Sequence, residues 1–422
     1  MTVLTRTKSL TEAKTSAIQK PMKVCMHDMR SARNDVRAMR AATTLVEAGF
    51  SVSIVDVAIT STTSVEEGLP GIEMHHITVP RSFLSTRFER WAILKAVLLF
   101  IRSTFRVLSE RADIYHACEV TALPACYLAA RFRHKPLIFE AYELPLCDRP
   151  LFDMSRSRRW LHSLLTIVLA HILPRCTAVI TVSPPIVQEI KKCYRVSRVS
   201  LLRNLPTYKK VSRTNYLRER LGLAPDVRIA LYQGYLQPDR GLERLVRAAS
   251  YLEPNMVIVL MGQGVGTTQD DLERLIVEKG VADRVKILPS VPYHELLAWT
   301  ASADIGLTVI PLDYTLNMKM CLPNKLFEYL MAGLPVLSAP LEAVTEIITT
   351  YGVGHIVPSM EPAAVGAAIN AMVKDETVLA NMRSNALTAA EQTLCWEREG
   401  PELVRLYHEV LNTFLRNDSK CC

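Results

Sequence analysis

One short segment joins a predicted helix start to a cation and a carboxylate, a combination suited to binding a phosphorylated ligand. The stretch LPNKLFEYLMAGLPVLS at 322–338 predicts a helix from about Lys325 to Met331, which Gly333 ends before a strand. Free backbone N–H groups at such a start, reinforced by Lys325, favour a phosphate. Glu328 lies one turn further along, where its carboxylate can accept hydrogen bonds from two vicinal hydroxyls, such as those of a ribose. The alternative is a capped amphipathic helix whose Glu and Lys simply face water.

Two further turns stand at the ends of predicted strands. In GYLQPDRGLERL, Gly234 lets the backbone approach a ligand, and Arg240 would supply a fixed cation for a diphosphate just before a helix that begins near Gly241. The second turn is MGQGVG at 261–266, where Gly262 follows a strand. The alternatives are a surface arginine beside a turn glycine, and glycines that serve only the turn.

Short strand patterns alternate with helical ones, and these elements must position the turns. The sequences KVCMH at 23–27 and SVSIVDV at 51–57 flank an amphipathic stretch over 35–48, which predicts a βαβ unit. The pattern restarts with RIALYQG at 228–234 and MVIVLMG at 256–262. Further strands are predicted at 114–118, 137–141, 178–182, 285–288, 305–309 and 335–339. This alternation predicts an α/β fold with two mainly parallel sheets that carry helices on both faces.

The same patterns divide the chain. Residues 1–21, rich in Thr, Ser and Lys, predict a disordered extension, residues 22–205 a first doubly wound domain and residues 206–400 a second one. A last helix at about 401–415 follows the second sheet. Because open parallel sheets bind ligands at the carboxyl ends of their strands, the active site is expected in a cleft between the two domains.

Composition and missing motifs disfavour several classes of protein. With 49% hydrophobic and 22% charged residues, the 422-residue chain is far too apolar to be disordered. None of its ten cysteines stands in a C-x-x-C pair, so a reduced, intracellular protein is expected. No G-x-G-x-x-G follows the first strand, where HDMRSARND stands at 27–35, which disfavours a nicotinamide dehydrogenase. The longest apolar runs, Trp91–Ile101 and Trp160–Leu173, are shorter than the ~20 residues that cross a bilayer.

Two basic and strongly apolar segments leave the membrane question open. The formal net charge is +8, and arginines surround the apolar runs within 81–111 and 156–175. Such segments can lie in the interface of an anionic membrane, or they can bury their apolar sides against the first sheet. We therefore expect a cytoplasmic protein, with peripheral contact at the inner face of a membrane as the open alternative. Nucleic-acid binding has little support, because the basic residues mingle with apolar helices.

Taken in order, five segments resemble the retaining glycosyltransferases of family 4, which have the GT-B fold of two doubly wound, Rossmann-like domains facing each other across a cleft. The likeness covers about Lys23 to Leu415. The five segments are HDMRSARNDVRAMRAATTLVEAGFSVSIVDV at 27–57, ADIYHACEVTALPACYLAARF at 112–132, AVITVSPPIVQEI at 178–190, YQGYLQPDRGLERLV at 232–246 and PNKLFEYLMAGLPVLS at 323–338.

The resemblance implies roles for residues of the second domain. Arg240 matches the basic residue that contacts the donor diphosphate, and Glu328 matches the later of two glutamates eight apart, which binds the donor ribose. Val291 matches the loop that meets the base. Backbone at Pro323, Asn324 and Leu326 would line the phosphate and the sugar. The last helix would cross back to the first domain.

Three positions depart from the family pattern. Met320 replaces the earlier glutamate, Tyr235 the arginine after the strand-end glycine, and Tyr142 the histidine after the fifth strand. Each departure removes a polar contact to the donor or the sugar. Lys325 is expected to act as the second diphosphate cation, and Glu140 or Glu143 to hold a sugar hydroxyl.

The function predicted is retaining transfer of a sugar from a nucleotide-diphosphate sugar to an undetermined acceptor, with Arg240, Lys325 and Glu328 as the central residues. The resemblance implies that charge developing on the leaving diphosphate is stabilised by cations and a helix start, with no cofactor and no metal. Acceptors of this family bind the first domain, so the candidates at its strand ends are His27, Asp28, Arg30, His116, Glu119 and Tyr142. A non-catalytic protein that binds nucleotide sugars, or a sugar-nucleotide epimerase of the same fold, is the alternative.

Overall fold

The computed structural model describes residues 21–59, 70–80, 89–146, 156–312 and 315–418. Within these ranges the chain forms two parallel β-sheets, of seven and six strands, that alternate with helices. The predicted α/β fold of two doubly wound units is therefore confirmed. The predicted extension at 1–21 lies outside the described residues except for Pro21.

The first sheet is parallel throughout, and its central strands are buried on both faces. Its strands are β1 Lys23–Asp28, β2 Ser51–Ile59, β3 Ile72–Val79, β4 Ile114–Cys118, β5 Leu137–Ala141, β6 Ala178–Thr181 and β7 Val199–Leu201. Its helices are α1 Val36–Glu47, α2 Glu89–Ser109, α3 Leu123–Arg133, α4 Arg156–Ile172 and α5 Pro184–Tyr194. The strand order is β3-β2-β1-β4-β5-β6-β7. Every residue of β4 and β5 is buried, as expected for strands that helices cover on both sides.

The second sheet repeats this plan with six strands. Its strands are β8 Arg228–Gln233, β9 Met256–Met261, β10 Val285–Leu288, β11 Ile305–Thr308, β12 Val336–Ser338 and β13 Gly354–Ile356. The strand order is β10-β9-β8-β11-β12-β13. The helices that follow α5 are α6 Tyr216–Leu221, α7 Leu242–Ala248, α8 Thr268–Lys279, α9 Tyr293–Thr300, α10 Leu316–Met320, α11 Asn324–Met331, α12 Glu342–Tyr351, α13 Pro362–Lys374, α14 Glu376–Gln392 and α15 Trp396–Asp418.

Three strands were not predicted from the sequence, and all three lie at sheet edges. β3 is half exposed and reads IEMHHITV, so polar residues interrupt its apolar pattern. β7 and β13 are only three residues long. Edge strands need fewer apolar residues than central strands, because one side of the strand has no neighbour to cover it.

The helices of the first domain form two layers. α2, α3, α4 and α5 pack against one face of the first sheet. α1 and α15 pack against the other face. The Asp35 side chain caps α1 by accepting the backbone N–H groups of Arg37 and Ala38, which is why the amphipathic stretch begins there.

The last helix begins earlier than predicted, at Trp396 instead of Pro401. A proline favours the first turn of a helix, which is why the pattern pointed to residue 401. In the structure Trp396 begins the helix and donates its indole N–H to the Thr44 hydroxyl of α1 at 2.8 Å. Leu403 and Tyr407 then pack against the first sheet, so α15 returns to the first domain after the second sheet is complete.

Among the described helices, none combines the length and the apolar character that crossing a bilayer requires.

Candidate functional site

The strand order reverses beside the first strand of each sheet, and this reversal opens a crevice at the carboxyl ends of the strands. In the first sheet the reversal lies between β1 and β4, and in the second between β8 and β11. Asp28 ends β1 and Glu119 follows β4, while Gly234 follows β8. The sequence candidates therefore lie where open parallel sheets bind ligands.

Lys325 lies over the end of β8. Its Nζ is 3.5 Å from the centroid of the Tyr232 ring and 3.4 Å from the place that a Cβ would occupy on Gly234. It stands in the first turn of α11, which no side chain caps. The first turn of an uncapped helix presents backbone N–H groups, so this cation and the helix start can act on the same anion.

Glu328 is held by a chain of hydrogen bonds that sequence reasoning missed. The Gln233 amide donates to a Glu328 carboxylate oxygen at 2.6 Å, and the Thr300 hydroxyl donates to the Gln233 carbonyl at 2.7 Å. Burial raises the pKa of the Glu328 carboxyl, against the opposing effects of the Gln233 hydrogen bond and the Lys325 charge. Gln233 directly precedes Gly234 at the end of a predicted strand, and this position was the sequence signal that could have identified Gln233 as a site residue.

Arg240 closes a short 3-10 turn, Pro238–Arg240, after β8. Its Nη1 lies 3.6 Å from the sulfur of Met318 on α10. Burial raises the pKa of the Cys321 thiol to about 11, and the charges of Arg240 and Lys325 both oppose this rise. The two predicted phosphate cations therefore both lie near the turn between α10 and α11.

The other donor candidates surround the same strand ends. Gly234 has a φ of 130°, and a Cβ on Gly262 would lie 1.8 Å from the Gly234 carbonyl oxygen, so no side chain fits at residue 262. The Tyr235 side chain is exposed, and its carbonyl accepts the Tyr232 hydroxyl at 2.9 Å. Val291 packs partly buried against the core of the second domain. Glycine is thus required where these two backbone turns meet.

A cluster of charged residues occupies the corresponding edge of the first sheet. Arg30 pairs with Glu119 at 2.5 Å and with Asp35 at 3.3 Å, and its backbone N–H donates to Asp28 at 2.9 Å. Burial raises the pKa of the Asp28 carboxyl to about 7 and also raises the pKa of Glu119. Arg30, with more than half of its side chain exposed, can meet a ligand in the cleft.

The two histidine candidates are buried inside the first domain. His27 Nδ1 donates to the Val55 carbonyl at 2.8 Å, and burial lowers the pKa of His27. His116 Nε2 donates to the Glu140 carboxylate at 3.1 Å, and the Tyr407 hydroxyl of α15 lies 2.5 Å from Nδ1. Contact of either ring with an acceptor stays a prediction, and the burial of both rings favours a supporting role.

Glu140 and Tyr142 belong to the same buried network through Arg37. Burial alone would raise the pKa of the Glu140 carboxyl, but Arg37, at 2.5 Å, and His116 lower it to about 2. The Arg37 guanidinium lies 5.3 Å from the centroid of the Tyr142 ring. Burial raises the pKa of Tyr142 well above its ordinary value, and its hydroxyl has no hydrogen-bond partner among the described residues.

The contacts of Met320 account for the first departure from the family pattern, in which methionine replaces the earlier glutamate. The Met320 side chain packs against the apolar core of the first domain, and its carbonyl accepts the Ser183 hydroxyl at 2.6 Å. Asn317, also on α10, accepts the Leu144 backbone N–H at 3.1 Å. α10 therefore joins the two domains, and an apolar residue at 320 suits that contact.

A groove of about 1500 Å³ begins at Glu328, one of the candidate donor residues. Glu328 and Tyr293 line it from the second domain, and Met39 and Arg40 of α1 line it from the first. Arg240, Lys325 and the acceptor candidates do not line this groove. From Glu328, the proposed ribose contact, the groove therefore runs between the two domains and away from the proposed phosphate contacts.

Two groups of side chains in the described ranges bring three potential metal ligands within 4.8 Å of one another, namely His116, Cys118 and Glu140, and Glu73, His75 and Glu110. Glu140 already pairs with Arg37 at 2.5 Å. Glu110 accepts Lys23 at 3.1 Å and Arg106 at 2.9 Å. Cations of the chain itself therefore balance a carboxylate in each group, and metal independence stays a prediction.

Two family models match the chain: Glycosyltransferase Family 4 over residues 35–204 and Glycosyl transferases group 1 over residues 214–389. D-inositol 3-phosphate glycosyltransferase of Xylanimonas cellulosilytica is 27% identical over 201 residues, which are 46% of this chain and 45% of that protein. The protein of the same name from Corynebacterium glutamicum is 25% identical over 205 residues, 47% of each chain. The matches thus span about half the length of these relatives.

Solved structures resemble the chain over nearly its whole length. Sucrose-phosphate synthase from Thermosynechococcus elongatus is 16% identical, with a TM-score of 0.75 over 93% of this chain and 100% of that one. HepE from Anabaena, in complex with UDP and glucose, is 18% identical, with a TM-score of 0.71 over 92% of this chain and 100% of that one. At this identity the likeness shows the fold, and it confirms the two-domain GT-B architecture.

Proposed function

Because this chain belongs to the glycosyltransferases of family 4, we propose that it is a retaining glycosyltransferase that takes a sugar from a nucleotide-diphosphate donor. The observation that carries the proposal is the convergence of Lys325, Arg240 and Glu328 around the end of β8 and the uncapped start of α11. Two cations and a helix start suit a diphosphate, and a carboxylate one helical turn away suits a ribose.

The donor is proposed to extend from α11 towards the groove. Its diphosphate would meet Lys325, Arg240 and the backbone of Pro323, Asn324 and Leu326. Its ribose hydroxyls would donate to Glu328, and its base would enter the groove beside Tyr293. The UDP complex of the similar Anabaena structure makes uridine nucleotides the first to test.

Catalysis is proposed to rest on stabilising the leaving diphosphate. As the bond from the anomeric carbon to the diphosphate oxygen lengthens, negative charge grows on that oxygen, and fixed cations lower the barrier more than mobile water does. No metal is part of this proposal. Loss of transfer with a chelator and its return with magnesium would contradict metal independence.

Thermal-shift measurements with UDP-, GDP-, ADP- and TDP-sugars test the donor site. A nucleotide that binds only the folded protein raises the melting temperature by mass action. We expect one base to give the largest shift and Lys325→Ala to diminish it. If Lys325→Ala left both the shift and turnover unchanged, the diphosphate role of Lys325 would be wrong. Lys319→Ala is the matched control, because Lys319 is exposed on α10, close to the site along the chain.

A non-catalytic nucleotide-sugar binder is the second candidate, and the three departures from the family pattern favour it. Tyr142 and Met320 pack against the first domain, and Tyr235 is exposed. Slow hydrolysis of a bound nucleotide sugar, followed by nucleotide release, favours the enzyme. Tight binding without any turnover favours the binder.

The proposal places the protein in the cytoplasm, in peripheral contact with an anionic membrane. Its support is the basic and apolar character of α2 and α4, which correspond to the two apolar runs of the sequence. Residues 81–88 and 147–155, which belong to or adjoin these runs, lie outside the described ranges. The acceptor is proposed to meet the first domain at Arg30 and Glu119.

A further inference from the structure

Three neighbouring helices of the first domain present large apolar side chains to solvent. Of the 22 large hydrophobic residues exposed in the described ranges, ten belong to α2, α3 and α4. They are Leu94, Val97, Leu98, Ile101 and Phe105 of α2, Leu128 and Phe132 of α3, and Leu164, Leu165 and Ile167 of α4. The exposed apolar surface is therefore concentrated on these helices, and such a concentration marks an interaction site.

The exposed residues of α2 are additional to the residues that hold it on the sheet. Leu94, Leu98, Ile101 and Phe105 follow the three- and four-residue spacing of one helix face. Val107 lies on the opposite side and is fully buried in the core. α2 therefore packs its inner side against the first sheet and still presents an apolar outer side to solvent. Burial against the sheet does not rule out a membrane contact.

The three helices form one continuous layer. All of them cover the same face of the first sheet, and α2 packs along α3. The rings of Tyr127 on α3 and His171 on α4 meet edge to face, with centroids 6.5 Å apart. Phe132 and Phe105, 71% and 70% exposed, thus belong to one outer surface, which we call the α2–α4 surface.

The charged residues in the sequences of these three helices are nearly all basic. The sequences of α2, α3 and α4 contain four, two and three Lys or Arg residues, and their only acidic residue is Glu89. Arg102, Arg131 and Arg159 are exposed. An interfacial helical surface with these features binds anionic lipid through apolar insertion and attraction of its cations.

We propose that the α2–α4 surface docks on an anionic lipid bilayer, with its apolar side chains inserted at headgroup depth. A second copy of the chain fits less well, because a symmetric contact would place these basic residues against each other. The inference rests on the peripheral membrane contact proposed above and names its surface, and it does not require transferase activity.

Docking would place the acceptor side of the cleft beside the lipid. His162 of α4 donates from Nε2 to the Leu146 carbonyl at 2.9 Å. Leu146 belongs to the loop that follows β5, which also carries Tyr142 and meets α10 of the second domain through Leu144. α4 therefore connects the docking surface with the loop at the acceptor end of the site.

Vesicle sedimentation of the full-length protein tests the proposal. Vesicles of phosphatidylcholine alone are compared with vesicles in which phosphatidylglycerol replaces part of it, at low and at high salt. We expect sedimentation with the anionic vesicles and its loss as salt rises. The double variant Leu98→Glu, Phe105→Glu removes two inserted apolar side chains and adds two negative charges, so it should bind the anionic vesicles about ten-fold more weakly or worse.

Two comparisons make the result specific. Val277→Glu places a single glutamate on an exposed apolar residue of α8 in the second domain, and it should sediment like the wild type. Arg102→Glu with Arg131→Glu should remove the preference for anionic over neutral vesicles. Each variant should keep the wild-type melting temperature and the wild-type response to UDP, so failure here is distinguishable from failure of the donor site.

Three outcomes would overturn the proposal. The first is a wild-type protein that sediments with neither vesicle or with both equally. The second is unchanged sedimentation of the Leu98→Glu, Phe105→Glu variant. The third is dimerisation without vesicles, measured by light scattering, that this variant abolishes, since the surface would then bind a second copy.

Discussion

Gln233 fixes the carboxylate on which the proposed ribose contact depends. It donates to Glu328 at 2.6 Å and accepts the Thr300 hydroxyl at 2.7 Å, and both Gln233 and Thr300 are buried. A hydrogen bond to a charged group contributes about 1.5–3 kcal/mol, so Gln233→Leu should weaken UDP binding about ten-fold or more. Isothermal titration calorimetry with UDP measures this effect.

Gln188→Leu is the control, because Gln188 is exposed on α5 in the first domain. A positioning role for Gln233 predicts that Gln233→Glu also fails to restore affinity, since two carboxylates would then face each other. Unchanged UDP affinity in Gln233→Leu would show that Glu328 needs no partner to hold its orientation.

Glu328 gives the site a pH dependence whose sign follows from its raised pKa. Burial raises the folded-state pKa above the ordinary value of 4.5. The stability that the protonated carboxyl contributes is complete below the unfolded-state pKa, and it is lost as pH rises through the folded-state pKa. Glu328→Gln should therefore be more stable than the wild type at pH 7.5, while it binds UDP more weakly.

Lowering the pH separates the two effects of this substitution. Because the pKa of Glu328 is raised, this carboxyl takes up a proton at a higher pH than an ordinary glutamate and then accepts ribose hydroxyls less well. The UDP affinity of the wild type should therefore fall with decreasing pH towards that of Glu328→Gln. Thermal unfolding and calorimetric titration at several pH values check both trends. Parallel pH profiles of affinity for the two proteins would contradict a ribose contact by this carboxylate.

At this scale the sequence predicted the candidate donor residues, but not the residues that support them. Lys325 and Glu328 share one helix, so their spacing is local information. Gln233 meets Glu328 across 95 positions, and His116 meets Tyr407 across 291. Contacts of this kind depend on how strands and helices pack, which local patterns do not specify.

Single elements were predictable where burial is complete. β4 and β5 have the bounds that their apolar runs predicted, because strands covered on both faces are almost continuously apolar. β7 and β13, at sheet edges, gave no such signal. The start of α15 was misplaced because Pro401 looked like a first-turn residue, although Trp396 anchors the helix earlier.

The docking of α15 on the first domain can be tested through Tyr407. Its hydroxyl is 2.5 Å from the buried ring of His116, which also bonds Glu140. Tyr407→Phe leaves His116 without this partner, and an unsatisfied buried polar group costs about 1–3 kcal/mol. Chemical denaturation should show this loss.

Tyr216→Phe is the matched control, since Tyr216 is exposed on α6 and should change the free energy of unfolding by less than about 0.5 kcal/mol. Equal stability of the two variants would mean that the bond between Tyr407 and His116 does not help to hold α15 in place.

On the scale of the whole molecule, the two domains contact each other through α10 as well as through the chain that connects them. Asn317 accepts the Leu144 backbone N–H, and the Met320 carbonyl accepts the Ser183 hydroxyl. The Asn204 side chain adds a contact with Asn324 at the start of α11. The same short segment, 317–324, therefore carries both the domain contact and the proposed phosphate position. The alternating sheet pattern predicted the cleft, whereas these contacts join residues far apart in the sequence and could not be predicted from local patterns.

Met320→Glu restores the glutamate that the family pattern has at this position, and it should destabilise this chain instead of improving it. The Met320 side chain packs, partly buried, against the apolar core of the first domain, so a carboxylate there would lose part of its hydration. We expect a cost of about 1–3 kcal/mol in thermal unfolding and a larger radius of gyration in small-angle scattering as the α10 contact opens. Met320→Leu keeps the volume and the apolar character, and it should leave both quantities near those of the wild type. Higher donor affinity in Met320→Glu with unchanged stability would instead show that residue 320 can turn towards the sugar, and that this chain had only lost a contact that its fold still accommodates.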